Sequence, residues 1–304
     1  MESIILEYPV ITIYGEVLVE AGTHIEYDKI YDYIPENSNF FEKINFLNFR
    51  NIKTDIISNL SKHPYDEIFS SYNIYSLINL MESVILPVPV IESLYYFREN
   101  DYHTYTHFLM VFTLTTLLSK EIISDKNLLI KSITAGSTHD IGKICIPLHI
   151  LKKSSPLTKF EKNYLKQHTV YGYILLCYYF NNKDTHIAEI SRDHHERMDG
   201  SGYPFKREMV KNDIKDIVVI CDIFDALVSS RPYRPEPYSV RSAIEEITEM
   251  AVSQKINWKV IKALVNFLRK NKSHYSECKV SLEKRCKGPD LNFYGVYEEN
   301  EVAL

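Results

Sequence analysis

Apolar residues recur at steps of three and four along most of this chain, and that spacing is typical of amphipathic helices. The pattern begins at about residue 40, where Ile52, Ile56 and Leu60 would share one helix face. Segment 214–229 is apolar nearly all round, which predicts a buried helix. Other helices are predicted over residues 101–120, 126–138, 240–250 and 257–270. No convincing strand pattern follows Asp101, so the second part of the chain is predicted to be all-α.

Residues 1 to about 33 follow a different pattern, because apolar and polar positions alternate around Gly15 and Gly22 as they do in a hairpin. Pro87 and Pro89 separate this region and the first helices from the rest of the chain. We therefore predict a mostly α protein that begins with a small α/β or α+β domain of regulatory or sensory role. The predicted division is residues 1–90 for this N-terminal domain, 91–270 for a helical catalytic domain and 271–304 for a polar tail.

The composition of the chain restricts the binding partners and the cellular compartment that we expect for it. The chain has 304 residues, of which 45% are hydrophobic and 25% charged, as in ordinary globular proteins. Its net charge of −5 provides no overall basic field, so DNA is not an expected partner. No apolar stretch is long enough to span a membrane, and the five cysteines do not form a disulfide framework. We therefore expect a cytoplasmic protein that does not bind membranes.

Histidines are concentrated in one region, since eight of the eleven lie between His103 and His195. Within it, His139 and Asp140 are neighbours in an apolar run, where an unpaired carboxylate is costly to bury. A divalent metal ion is the usual compensation, because imidazole nitrogen and carboxylate oxygen both suit it. The helices of a bundle can bring further ligands from distant positions into one cavity. The candidate ligands are His107, His139, Asp140, His168, His194, His195 and Asp222.

This ligand set predicts a centre with more than one metal ion. Five imidazoles and two carboxylates are too many for one tetrahedral ion, so we expect two ions bridged by Asp140. A set of nitrogen and oxygen ligands without thiolate favours iron or manganese. Two such ions would lower the pKa of a bridging water from about 15.7 toward neutrality, and the resulting hydroxide could attack a phosphorus centre.

Several motifs in a fixed order narrow this interpretation. They are His139-Asp-Ile-Gly-Lys143, His168, the run from His194 to Pro204 and the run from Cys221 to Arg234. Together they resemble the HD-GYP subfamily of HD-domain phosphohydrolases over about residues 101–270. The resemblance implies an all-helical HD-type bundle that hydrolyses cyclic di-GMP to linear pGpG or to GMP. It also implies a centre of two or three iron or manganese ions.

Matching the motifs position by position gives roles to individual residues. The seven candidate ligands coincide with metal ligands of the family. Lys143 matches a lysine that meets a substrate phosphate, so the resemblance makes Asp140 and Lys143 the predicted catalytic residues. Gly202, Tyr203 and Pro204 match the signature loop. The residues predicted to bind substrate are Lys143, Tyr203, Arg231 and Arg234.

One position departs from the family pattern. Four residues before His107, members with three metal ions tend to have glutamate and many others have tyrosine, whereas this chain has His103. An imidazole there can ligate a third ion or can only form a hydrogen bond near the cavity. We include His103 among the predicted metal ligands, and the number of ions stays open between two and three.

Other interpretations stay open on the sequence alone. The substrate could be another cyclic dinucleotide such as cyclic GMP-AMP, because the residues that contact the bases cannot be located. A catalytically silent protein could bind the nucleotide and signal through residues 1–90, and that region could also support a homodimer or bind a signalling protein. We expect Asp199 and Asp225 to hold the signature loop and a helix in place rather than to contact substrate.

Overall fold

The structure is a computed structural model that describes residues 3–37, 40–70, 72–182, 185–269, 274–290 and 292. Residue 270, the predicted end of the helical domain, lies outside these residues, as do residues 271–273, 291 and 293–304 of the predicted tail. In the described part of the chain helices dominate and the strands are short. The predicted mostly α fold is therefore confirmed.

Short strands form three antiparallel pairs near the N-terminus. The strands of the described residues are β1 (Ser3–Ile5), β2 (Val10–Ile11), β3 (Val17–Val19), β4 (His24–Glu26), β5 (Lys43–Asn45) and β6 (Ile85–Pro87). β1 pairs with β4, β2 with β3, and β5 with β6. Gly15 lies in the turn between β2 and β3 with a φ of +84°, which a residue without a Cβ adopts readily. The hairpin predicted around Gly15 is thus confirmed.

The helices carry most of the remaining chain. In the described residues they are α1 (Ile52–Leu60), α2 (Tyr65–Phe69), α3 (Ile74–Met81), α4 (Val88–Asn100), α5 (Tyr102–Ile122), α6 (Lys126–Thr138), α7 (Leu148–Leu151), α8 (Lys159–Lys166), α9 (His168–Phe180), α10 (His186–Asp193), α11 (Asp213–Val228), α12 (Val240–Val252) and α13 (Trp258–Leu268). Asp101 caps α5 and Asn212 caps α11, each accepting an amide N–H of the first turn. Thr158 and Glu161 form a reciprocal capping box on α8. Within the same residues, none of the helices has both the length and the apolar character needed to cross a membrane.

Helix α5 is the centre of the packing and is buried along nearly its whole length. The later helices α6, α11 and α13 pack on it, and so do α1, α3 and α4. Phe46, for example, packs against Phe112 of α5 with ring centroids 5.3 Å apart. One cluster of buried apolar side chains therefore extends from Leu6 to Phe267. The predicted boundary at residue 90 falls inside α4, and the division into two domains stays a prediction.

Candidate metal centre

Seven of the eight predicted ligands come together from five segments of the chain. These are α5 with His107, the end of α6 with His139 and Asp140, the start of α9 with His168, the end of α10 with His194 and His195, and α11 with Asp222. The segments meet because α10 packs on α6, α9 and α11, while α11 packs on α5 and α6. Helix packing thus delivers side chains that are far apart in the sequence to one buried place.

The ligands form two groups that share one residue. The first group is Asp140, His168, His194 and His195, and the second is His107, His139, Asp140 and Asp222. Within each group the ligand atoms all lie within 4.8 Å of one another. Oδ1 of Asp140 lies 2.9 Å from Nε2 of His168, whereas Oδ2 lies 3.3 Å from Nε2 of His107. The two oxygens of one carboxylate therefore face different groups, as those of a bridging ligand would.

Hydrogen bonds orient the imidazole rings so that Nε2 faces the site. In three rings Nδ1 donates to a carbonyl oxygen three residues earlier: His139 to Gly136 at 3.1 Å, His168 to Leu165 at 2.6 Å and His194 to Ser191 at 2.8 Å. In His107, Nδ1 donates to the carboxylate of Asp225 at 2.5 Å. Such bonds fix the orientation of a metal-binding histidine and direct its Nε2 at the site.

Two buried atoms of the site test whether these residues fit a metal ion. Nε2 of His139 and Oδ1 of Asp140 have no hydrogen-bond partner in the described part of the chain. A buried polar atom without a partner is costly, and native proteins satisfy nearly all such atoms. Both atoms belong to the two ligand groups, and divalent transition metal ions accept nitrogen and oxygen donors of this kind. The residues therefore fit the predicted metal centre.

The protonation states also suit metal binding. Burial acts to raise the pKa of Asp140, but the positive charges of Lys143 and His139 outweigh it and hold that pKa well below its usual range. Burial lowers the pKa of both His168 and His195. Near pH 7 the carboxylate is therefore charged and these two rings are neutral, which is the state in which they bind a cation.

The helical part of the chain also matches known proteins. Residues 109–260 match the family model described as HD domain, which amounts to half of the chain. The chain belongs to the HD-domain family. The HD-GYP-type assignment predicted from the motifs is confirmed by this match together with the curated relatives.

Three curated relatives match this chain over part of their own length. A cyclic di-GMP phosphodiesterase of Thermotoga maritima is 37% identical over 156 residues, which cover 50% of this chain and 41% of the relative. A cyclic di-GMP phosphodiesterase of Pseudomonas aeruginosa is 31% identical, with 52% of this chain and 38% of the relative covered. A 3′3′-cGAMP-specific phosphodiesterase of Vibrio cholerae is 33% identical, with 43% and 30% covered. The chain thus spans about two fifths or less of the length of these relatives.

In this HD domain the signature loop folds back onto the end of α10. The buried carboxylate of Glu196 accepts the amide N–H groups of Phe205 at 2.7 Å, Lys206 at 3.0 Å and Arg207 at 3.1 Å. Gly202 passes so close that a Cβ there would lie 2.4 Å from Cα of Glu196. The sequence interpretation gave no role to Glu196, although its place inside a matched motif was a signal that could have identified it.

Two of the predicted substrate-binding residues lie at the edge of the metal centre. The ammonium group of Lys143 forms an ion pair with Asp140, and the lysine side chain is 17% exposed. The ring of Tyr203 stacks on His195 with ring centroids 4.5 Å apart. Both side chains therefore contact predicted metal ligands directly, Lys143 at Asp140 and Tyr203 at His195.

The two arginines predicted to bind substrate instead form hydrogen bonds within the HD domain. Arg231 is buried and donates to the carboxylate of Asp225 at 3.0 Å. Arg234 is buried and donates to the carbonyl oxygens of Leu227 at 3.0 Å and Ser229 at 3.2 Å, at the end of α11. Both guanidinium groups thus hold the polypeptide that follows α11, and their contact with substrate stays a prediction.

His103 lies outside both ligand groups. It precedes His107 by one turn of α5, but its side chain is exposed and belongs to neither group in the described residues. The structure therefore brings seven predicted ligands together and leaves this one apart. Asp199, as expected, serves its own loop by accepting the amide and hydroxyl of Ser201 at 3.1 and 2.6 Å.

Metal binding should release a proton from His107. Burial and the charge of Arg231 act to lower the pKa of His107, but hydrogen bonds to Asp140, Asp222 and Asp225 outweigh them and raise it to about 9. Because an ion at Nε2 must displace this proton, we expect apparent metal affinity to rise about tenfold per pH unit up to about pH 9. Calorimetric titrations at pH 7 in two buffers of different ionisation enthalpy should detect about one proton released per chain. An affinity that does not change between pH 7 and 9 would contradict this expectation.

Proposed function

We propose that this protein is a metal-dependent phosphodiesterase that hydrolyses cyclic di-GMP. The observation that carries the proposal is the pair of ligand groups joined by Asp140, with the ammonium of Lys143 against the same carboxylate. Hydrolysis adds water to phosphorus and breaks one P–O bond while negative charge develops on the phosphoryl oxygens. Divalent ions supply an activated water and positive charge for such a step. The relatives named as cyclic di-GMP phosphodiesterases support the choice of substrate.

Two ions, iron or manganese, are proposed for the centre. Each ligand group offers four nitrogen or oxygen donors and no thiolate, a donor set that suits iron or manganese. The first group contains three imidazoles and one carboxylate, whereas the second contains two of each. A third ion would need His103, whose exposed side chain lies outside both groups.

The protein's own contribution is to orient its ligands and to provide positive charge at the substrate. Six of the seven predicted ligand side chains are buried, and hydrogen bonds hold rings such as those of His139 and His168, so little rearrangement is needed when ions and substrate bind. Lys143 is a partly exposed cation beside Asp140, so its ammonium can meet a phosphate that approaches from solvent. There it would neutralise charge that grows in the transition state.

Changing Lys143 to alanine should lower kcat about 100- to 1000-fold while both ions stay bound, because the ammonium acts on transition-state charge. Metal content and steady-state turnover of cyclic di-GMP should be measured on the same preparation. Lys153→Ala is a matched control, since Lys153 also pairs with a carboxylate, that of Glu161 at 2.7 Å, and its side chain is 21% exposed. An unchanged kcat for Lys143→Ala would refute the role given to Lys143.

The activity itself is tested with protein purified without oxygen and loaded with iron or manganese. We expect cyclic di-GMP to be converted to pGpG or GMP, with the products separated by chromatography. Fully metallated protein that leaves cyclic di-GMP intact would refute the proposal. Tight binding of the nucleotide without turnover would favour a sensor instead.

A second candidate substrate is cyclic GMP-AMP. It is favoured by the 33% identity to a relative named as specific for 3′3′-cGAMP. Both substrates present the same phosphodiester to the metal centre and differ only in one base. Competition of the two cyclic dinucleotides in one assay distinguishes them, since the preferred one is consumed first.

Fewer observations support the proposals for the cellular location and the binding partners of this protein. The five cysteines are all free thiols, which suits the reducing cytoplasm. A homodimer or a signalling protein bound through residues 1–90 stays a prediction. Size-exclusion chromatography with light scattering would measure the oligomeric state directly.

A further inference from the structure

A buried series of hydrogen bonds links the N-terminal part of the chain to one metal ligand. Tyr65 in α2 donates from its hydroxyl to Oδ1 of Asp225, and Oδ2 of Asp225 accepts from Nδ1 of His107. We propose that Tyr65 is a positioning residue for His107 and acts through the carboxylate of Asp225. The inference rests on the proposed metal centre and adds to it a residue outside all the matched motifs.

The carboxylate of Asp225 is held by four donors. Oδ1 accepts the hydroxyl groups of Tyr65 and of Ser229, the latter at 3.0 Å. Oδ2 accepts Nδ1 of His107 at 2.5 Å and Nη2 of Arg231 at 3.0 Å. An ionised carboxylate offers about four lone-pair directions, so this set uses its whole capacity. Because Asp225 is 0% exposed, solvent does not compete for these positions, and each donor contributes to holding the group against rotation.

The orientation of this carboxylate sets the orientation of the His107 ring. With Nδ1 directed at Asp225, Nε2 on the other side of the ring lies 3.1 Å from Oδ1 of Asp222 and 3.3 Å from Oδ2 of Asp140. A rotated Asp225 would turn Nε2 away from the second ligand group. Loss of the hydrogen-bond partner of a metal-binding residue typically lowers metal affinity 10- to 100-fold. Tyr65 is one hydrogen bond further from the ion, so we expect the lower end of that range.

The position of Tyr65 is itself fixed by packing. Its side chain is buried, and Phe69, one turn later in α2, packs against Phe267 of α13 with ring centroids 5.7 Å apart. Helix α2 is therefore anchored to the helices that surround the site. The hydroxyl of Tyr65 is presented from a fixed backbone, which is what a positioning residue requires.

The test is the affinity of metal-stripped protein for Mn²⁺, measured by competition with a chromophoric chelator. Tyr65→Phe should weaken one of the two Mn²⁺ sites about tenfold and leave the other unchanged. Tyr178→Phe is a matched control, because the buried Tyr178 also donates to a carboxylate, Oε2 of Glu16 at 2.9 Å, away from the ligand groups. The Tyr178→Phe protein should bind Mn²⁺ at both sites with the affinity of the wild type. Thermal unfolding of the metal-free variants separates lost stability from lost metal affinity.

Three results would overturn the proposal. The first is a folded Tyr65→Phe protein with both Mn²⁺ affinities unchanged, and the second is an equal loss of affinity in Tyr178→Phe. If Tyr65→Phe does not fold, Ser229→Ala replaces it, because Ser229 donates to the same Oδ1 of Asp225. The third result that would overturn the proposal is an unchanged Mn²⁺ affinity of the Ser229→Ala variant. A wild-type protein that binds no Mn²⁺, iron or other divalent ion would instead refute the metal centre itself, which keeps the two failures distinct.

Discussion

Replacing Asp140 with alanine should abolish metal binding and lower turnover of cyclic di-GMP at least about 1000-fold, which corresponds to about 4 kcal/mol of transition-state stabilisation. The reason is that Asp140 is the member shared by both ligand groups, so its loss removes a donor from each of them. The two oxygens of this carboxylate also lie 2.9 Å from Nε2 of His168 in the first group and 3.3 Å from Nε2 of His107 in the second. Metal analysis and turnover should be measured on one preparation of protein purified without oxygen.

Asp222→Ala is the matched control for this experiment. Asp222 is also a buried carboxylate, but it belongs to the second group alone. The variant should therefore keep about one ion per chain in the first group and lose the other. An Asp140→Ala protein that retains two ions would contradict the bridging role, and so would equal metal contents in the two variants.

Replacing Gly142 with alanine should disrupt both folding and metal binding. A Cβ at this position would lie 1.9 Å from the carbonyl oxygen of His168 and 2.4 Å from the amide nitrogen of Gly172. Both are backbone atoms of α9, so relief of the contact requires the helix to move away from the segment that carries Asp140. Overpacking in a tight core costs about 1 to 3 kcal/mol, and this contact is severe enough to reach the upper end of that range. Chemical denaturation and metal analysis would measure the two effects.

Gly22→Ala provides the comparison for Gly142→Ala. Nothing lies within 4 Å of a Cβ built at Gly22, but its φ of +79° is unfavourable for any residue with a side chain. This change should lower the free energy of unfolding by about 1 to 2 kcal/mol through backbone strain alone and leave the metal content unchanged. A Gly142→Ala protein with wild-type metal content would show that α9 can shift without losing His168 as a ligand.

The candidate ligands could be proposed from the sequence because the His139-Asp140 pair and the other histidines have a recognisable chemistry, although they lie far apart along the chain. A histidine beside an aspartate in an apolar run is costly unless compensated, and further histidines at helix ends indicate where the compensation comes from. The structure places His107 and Asp222 with this pair as the sequence interpretation expected. The hairpin at Gly15 could be predicted for a similar reason, since a two-residue period and a glycine specify it within a few positions.

The partners of buried polar groups could not be predicted, because they depend on tertiary packing. Nothing in the sequence around Tyr65 indicates that its hydroxyl meets Asp225, and the two lie in distant segments. The two arginines illustrate the same limit. A guanidinium group suits phosphate and carboxylate equally well, so the sequence alone does not reveal that Arg231 binds Asp225.

The placement of α5 has a consequence for how the protein could be regulated. Residues on both sides of position 90 cover this helix, and Phe112 is enclosed partly by Phe46. Moving the N-terminal segment away from α5 would expose buried apolar side chains such as Phe112 to water, which is unfavourable. A signal that acts on the N-terminal segment would therefore reach the metal centre through small shifts of packed side chains. Close-packed protein interiors transmit such strain.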